Sequence, residues 1–266
     1  MKKAAITILK ILIFFVGWAV LSGLIDIPVD NPVVWRFFAE LIPLVVIVIF
    51  TVIFLRLEKG EVKIPFAENA GKGTIVGIVT GFVWIGVSTA ILLILHQLAI
   101  VGKNDINIIW LWIISAFINV IMQELLVRGY LYQLLKAKYN LPLAIIITTA
   151  LFTFMHGGAF EAGFIPVINV ITMCLFTTAL YEANGTILAP IMAHAVWNII
   201  GAIILGGVSL ADDYPSVFSM TAIGSTVLSG GDCKIEGSVI VTIINIALLL
   251  LFYIVYSRNA KIKKVS

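Results

Sequence analysis

The chain has 266 residues, of which 61% are hydrophobic and only 12% charged, with a formal net charge of +3; its mean hydropathy is +1.14. Roughly a quarter of the residues of a soluble domain are charged, so this composition excludes an ordinary soluble fold, and the small net charge offers nothing to a nucleic acid. At ~20 apolar residues per transmembrane helix, the length suits an all-α, polytopic membrane protein of about eight spans.

Apolar runs place those spans at residues 4–25, 38–56, 74–99, 108–135, 141–156, 162–182, 186–207 and 238–257. The opening Met1-Lys2-Lys3 has the look of a signal peptide. However, the apolar run continues past residue 20 without a small-residue cleavage site, so it reads as an uncleaved first span. Breakers and charge mark the loops: Asp30-Asn31-Pro32, Glu58-Lys59-Gly60, Gly102-Lys103-Asn104, Asn140-Leu141-Pro142, Gly157-Gly158 and Asn184-Gly185. The longest connection, 208–237, is rich in Gly, Ser and Asp. Three segments follow. Residues 1–105 hold three N-terminal helices and 106–208 a core bundle of spans four to seven. Residues 209–266 hold an extracytoplasmic loop and the last span with its basic tail.

Loop charge orients the bundle. Lys2, Lys3 and Lys10 flank the first span; Arg56, Lys59, Lys63 and Lys72 follow the second; Lys136 and Lys138 follow the fourth; Arg258, Lys261, Lys263 and Lys264 close the chain. With eight spans all four groups share one side, which puts both termini in the cytoplasm and the protein in the plasma membrane. Asp26, Asp30, Glu161, Asp212, Asp213 and Asp232 fall on the other side. Cys174 lies in an apolar run and Cys233 in a loop, which gives neither a disulfide framework nor a C-x-x-C motif.

Three polar signatures interrupt the apolar helices: Gln123-Glu124-x-x-x-Arg128-Gly129, Phe152-x-x-x-His156 and His194-x-x-x-Asn198. Ionisable groups within membrane spans point to function by default, and two of the three histidines of the chain are here. Glu124 and Arg128 are four apart, share a helix face and can pair. Arg36 and Glu40 have the same spacing near an interface, where a plain ion pair accounts for them. Phe152 lies one turn before His156 and can pack its ring. His194 and Asn198 present an imidazole and an amide from one face. Each motif alone has a plain explanation: Glu124 and Arg128 staple two helices, His156 is an interfacial histidine at a helix end, and His194 with Asn198 makes an interhelical hydrogen bond; His96, without motif partners, is read as an interfacial histidine. Three such faces on three helices call for a common reason.

The chemistry these groups allow is hydrolysis. A carboxylate and an imidazole can position and deprotonate a water; a second imidazole and an amide can hold a developing oxyanion. Alternatively, His156 and His194 with a glutamate can ligate zinc and leave an open position. No H-E-x-x-H is present, and both modes, with zinc and without a metal, stay open.

In these three motifs, over roughly residues 108–207, the chain resembles the family of C-a-a-X proteases and bacteriocin-processing enzymes (CPBP, or Abi), intramembrane glutamate- or metal-dependent endopeptidases. A looser similarity runs through Leu228-Ser229-Gly230-Gly231 and Ile235-Glu236-Gly237-Ser238. The family's first motif is E-E-x-x-x-R. Glu124 and Arg128 match it, and Gln123 stands where the family has its first Glu. The resemblance implies that position 123 and His156 share the catalytic water, and that His194 and Asn198 hold the oxyanion. It further implies a peptide or membrane-protein substrate, lipidated in some branches, met within the lipid bilayer. An amide cannot accept a proton as a carboxylate does. Gln123 therefore leaves three routes. Glu124 acts in its place, or His156 acts as base while Gln123 orients the water. In the third, the chain is a non-catalytic pseudoprotease, such as a membrane protein giving self-immunity to a bacteriocin. A small transporter is the remaining reading, without the repeat symmetry that would support it.

Overall fold

The structure, a computed structural model, describes residues 2–265. Met1 lies outside them, as do the side chains of Lys2, Lys263 and Lys264 used above for orientation. In chain order the elements are α1 (Lys2–Gly23), α2 (Pro32–Leu57), α3 (Ala70–Ile94), β1 (Leu98–Lys103) and α4 (Ile109–Glu124). A π-helical turn, Leu125–Gly129, leads into α5 (Tyr130–Lys138), followed by α6 (Leu141–Met155), α7 (Gly157–Ala162), α8 (Phe164–Asn184) and α9 (Leu188–Asn198). A second π-helical turn, Ile199–Ile204, precedes β2 (Phe218–Ala222), α10 (Thr226–Ser229), a 3₁₀ turn, α11 (Lys234–Gly237) and α12 (Val239–Val265).

The protein is an all-α, multi-pass membrane protein, 75% helical. Among the described residues six helices are long and apolar enough to cross a membrane: Lys3–Gly23, Pro32–Leu57, Ala70–Ile94, Ile109–Lys138, Phe164–Asn184 and Val239–Lys261. The expected fifth and seventh spans are the shorter apolar helices Leu141–Met155 and Leu188–Ile204. At ~1.5 Å per residue, the first of these reaches about 22 Å, less than a ~30 Å hydrocarbon core.

The sequence breakers act through ordinary capping. Asn31 Oδ1 accepts from the Val33 and Val34 amides at 3.1 and 3.2 Å, with Pro32 in the first turn of α2. Asn140 Oδ1 accepts from the Leu143 amide at 2.9 Å and opens α6. Gly185, at φ +65°, ends α8 in the left-handed conformation that favours glycine. Gly157-Gly158 differs from expectation: the chain breaks at His156 alone, and the glycines already begin α7.

Two compact units divide the chain, and the division falls inside α6. The first comprises Met1–Ile64 and Ile108–Thr148. Here α2 packs along α4 and α1 along α2. Phe14, Phe54 and Tyr130 form an aromatic cluster with centroids 4.9–5.3 Å apart. The Tyr130 hydroxyl donates to Glu58 Oε1 at 2.9 Å, and Lys10 Nζ donates to the same oxygen at 2.5 Å.

The second unit comprises Pro65–Asn107 and Thr149–Ser266. Its helix pairs are α3 with α9 and α8 with α12. Gly73, Gly77 and Gly81 make a small-residue stripe on α3 at every fourth position. A Cβ there would meet Thr186 Cγ2, the Ala189 carbonyl oxygen and Val196 Cβ, respectively. Lacking one, the two backbones approach closely, as membrane helices rich in small residues do. Farther along α3, the Trp84 ring stacks on Trp197 of α9 at 3.8 Å and meets Phe176 of α8 edge-on at 4.6 Å. Between α8 and α12 the glue is amide chemistry. Asn169 Nδ2 donates to the Glu236 and Ser238 carbonyl oxygens at 2.7 and 2.9 Å. Asn245 Nδ2 donates to the Asn169 carbonyl oxygen and Thr172 Oγ1 at 3.2 and 3.0 Å.

The long connection is not the plain loop its composition suggests. β2 pairs antiparallel with β1, Leu98 opposite Ala222 and Lys103 opposite Phe218, with a bulge between Ile100 and Gly102. The Ile235 amide donates to the Gly207 carbonyl oxygen at 3.0 Å, and the Ser209 amide donates to Glu236 Oε1 at 3.2 Å. Burial pushes the Glu236 carboxyl up from its ordinary 4.5 to about 7, against the Ser209 hydrogen bonds and the Lys234 charge.

Two predictions follow from this packing. Gly77→Ala sets a methyl group against backbone, so overpacking of ~1–3 kcal/mol should lower the melting temperature; an unchanged melting temperature would show that α3 and α9 are not held by the stripe. For Glu236, a carboxyl raised by folding binds its proton more tightly in the folded state. Stability from this group is full below about pH 4.5 and is lost as the pH rises through about 7. Hydrogen exchange of residues 206–238 should therefore quicken, beyond its intrinsic pH dependence, across that window in the wild type and not in Glu236→Gln. The same excess in both chains would contradict it.

Candidate active site

The first motif sits at the end of α4. Glu124 and Arg128 are both 0% exposed, and Arg128 Nη1 donates to Glu124 Oε2 at 2.6 Å. Pairing at i, i+4 is the cheapest way to carry both charges into an apolar interior. The π-helical turn begins at the residue after Glu124; such widened turns interrupt α-helices frequently at functional sites. Gln123 faces another way, as adjacent helical residues must. Its Nε2 donates to Asn119 Oδ1 at 2.7 Å. Asn119 Nδ2 donates in turn to Glu40 Oε2 on α2 at 2.7 Å, and Arg36 Nη1 donates to Glu40 Oε1 at 3.2 Å.

The second and third motifs lie together in the other unit. His156 occupies the single-residue break between α6 and α7, at φ −95° and ψ 56°. Its Nδ1 is 2.7 Å from the Phe152 carbonyl oxygen. A carbonyl oxygen only accepts, so Nδ1 carries the proton and Nε2 keeps the lone pair. The Phe152 ring packs on the His156 imidazole, centroids 4.3 Å apart, and meets the His194 imidazole edge-on at 6.3 Å. Phe152 thus wedges the two histidines from α6 and α9. His194 and Asn198 follow one another by one turn on α9, both buried. The Trp84–Trp197 stack fixes the rotation of that helix, and the second π-helical turn starts right after Asn198.

Within the units, then, three groupings form: Glu124 with Arg128, Gln123 with Asn119 and Glu40, and His156 with Phe152 and His194. His96 is exposed in the turn after α3, at φ +51°. Asn119 and the inward role of Glu40 were missed in the sequence. The available signal was an acid inside the apolar run 38–56. Glu40 is 5% exposed and belongs to the polar interior as much as to its interfacial pair with Arg36. Among the described residues no group of three or more His, Cys, Asp or Glu is placed to hold a metal ion. His156 and His194, the imidazoles named above as zinc ligands, are two donors, and position 123 offers an amide where the family has a carboxylate.

The fold and these polar motifs define a multi-pass membrane protein with ionisable and amide groups on its helices. Residues 105–200 match the family model described as Type II CAAX prenyl endopeptidase Rce1-like, of the CPBP family. The matched segment contains all three motifs, and the family is one of proteases. No curated protein and no solved structure matches the chain.

Arg128→Leu should cost ~3–5 kcal/mol, the usual penalty for removing one partner of a buried ion pair. The thermal stability of the solubilised chain reads it. The double variant Glu124→Leu/Arg128→Leu should recover much of the loss. Equal stability of Arg128→Leu and wild type would show that the pair is not structural.

Proposed function

We propose that the chain is an intramembrane endopeptidase that hydrolyses peptide bonds of membrane-associated or lipidated peptides or proteins. The observation that carries this reading is the protease-family match across a segment that contains all three polar motifs, with Glu124, Arg128, His194 and Asn198 buried and Gln123 and His156 half-buried. The roles come from the resemblance, and the local geometry supports them. His156 Nε2, which keeps its lone pair when Nδ1 donates to the Phe152 carbonyl, takes a proton from the catalytic water, and the resemblance gives the orienting of that water to position 123. The hydroxide attacks the peptide carbonyl carbon. The oxyanion accepts hydrogen bonds from His194 and from the Asn198 amide. The tetrahedral intermediate then collapses with cleavage of the C–N bond, and the proton on His156 passes to the leaving amine. General base help contributes ~10²–10⁴ in rate and an oxyanion donor about 10²–10³. Glu124, bound to Arg128, holds the first motif in place rather than replacing the missing carboxylate. The distribution of basic residues among the loops supports a topology with both termini in the cytoplasm, and the reading takes the membrane to be the plasma membrane.

One observation favours a second reading. Gln123 in place of the family's first Glu is what a pseudoprotease would carry, a membrane protein that binds a peptide or gives immunity to a bacteriocin without cutting.

Mass spectrometry of terminal peptides separates the two. Cells would express wild type, His156→Ala, His194→Ala or Gln123→Glu at matched levels. Peptide ends present with wild type and lost with either histidine variant, a fall of about 10²-fold or more, would establish a protease and name its substrates. Ends appearing only with Gln123→Glu would mark the native chain as a disabled protease. Identical peptide ends in all samples would leave the binding protein.

A further inference from the structure

The two ends of the Gln123 amide differ in character: its oxygen accepts hydrogen bonds, while its nitrogen only donates them. Only one orientation holds a water as a carboxylate would, by accepting its hydrogen. In the structure that orientation is set from α2, two side chains away. Glu40 takes Arg36 Nη1 on one oxygen and Asn119 Nδ2 on the other. A carboxylate only accepts, so Asn119 must turn its NH₂ toward Glu40. Asn119 Oδ1 is then the atom that meets Gln123, and it can be met only by Gln123 Nε2, at 2.7 Å. Gln123 Oε1 is thereby turned the other way. There it is buried and meets no hydrogen-bond donor among the described residues. A buried acceptor in that state is costly to leave unmet and calls for a small donor.

We propose that Glu40 is a positioning residue. Acting through Asn119, it holds Gln123 with its oxygen presented as an acceptor to a water, so that an amide performs the orienting half of a carboxylate's task. The catalytic consequence rests on the endopeptidase reading; the relay itself does not. The same relay makes position 123 hostile to the family's glutamate. A carboxylate there would face Asn119 Oδ1, acceptor against acceptor. If Asn119 turned over, its oxygen would face Glu40 instead. Glu40→Gln removes the conflict, because its amide donates as readily as it accepts.

The test is a double-mutant cycle on the full chain, in detergent, with melting temperature as the first readout. E40Q and Q123E should each lower it, and E40Q/Q123E should lie above Q123E alone. Additive losses would overturn the relay. If E40Q does not accumulate, Asn119→Ala cuts the same chain. Q123E should then be less harmful in the N119A background, and equal harm overturns the proposal. The second readout uses a peptide spanning a cut site found by terminal-peptide mass spectrometry. E40Q should lower kcat by up to about 100-fold with KM little changed, and Glu40→Asp, which keeps the carboxylate, should recover part of the loss. A wild-type kcat in E40Q overturns the proposal. If the wild-type chain yields no cut site, the endopeptidase reading has failed, and the melting-temperature cycle still decides the relay.

Discussion

A charge carried into an apolar interior is tolerated when its partner comes with it, and much of the chemistry here follows from how that requirement is met. Glu124 and Arg128 enter together, one turn apart and sealed from solvent at the end of α4. Their pairing removes the nearest carboxylate from the competition for a water. In the proposed reaction the chemistry of the first motif passes to Gln123, an uncharged side chain one residue earlier on a different face. The π-helical turn that follows interrupts the regular hydrogen-bond ladder where the motif must project its groups.

The same economy governs the second unit. α9 carries an imidazole and an amide, and apolar packing helps to position it. Small residues on α3 let the two backbones close in, and the Trp84–Trp197 stack sets the rotation. His194 and Asn198 are thus carried on a helix that apolar contacts hold in place. His156 is tuned differently. A break of one residue between α6 and α7 lets its Nδ1 reach back to the Phe152 carbonyl oxygen, and that contact decides which ring nitrogen holds the proton. The backbone therefore selects the tautomer that a general base needs.

Gln123 is best understood with its neighbours. Taken alone it is a lost carboxylate. With Asn119 and Glu40 it becomes an amide of defined polarity, because a chain of donors and acceptors that ends on an anion has only one consistent direction. The negative charge missing from α4 stands on α2, next to Arg36. This arrangement keeps an acceptor at position 123 without an unpaired anion in the interior.

Much of this was legible in the residues themselves. The apolar runs, the Asn-Pro and Asn-Gly breaks and the three motifs are local features, set by side-chain transfer into lipid and by helix periodicity, and they recur in the structure, although α2 already begins at Pro32 and α12 runs on to Val265. The spacing of Glu124 and Arg128 sufficed to foresee their pairing, since a helix carries its own geometry. Contacts between distant segments were not legible. Asn119 meets Glu40 across 79 residues, and β1 meets β2 across a comparable distance in a stretch whose composition says only loop. Glu40 looked like half of a surface ion pair because its spacing to Arg36 is all that a sequence displays. By itself the sequence determined which helices form and which polar groups they carry. Only the tertiary structure decided which way each amide and imidazole faces, because that direction is fixed by partners brought from other helices or by a bend in the backbone.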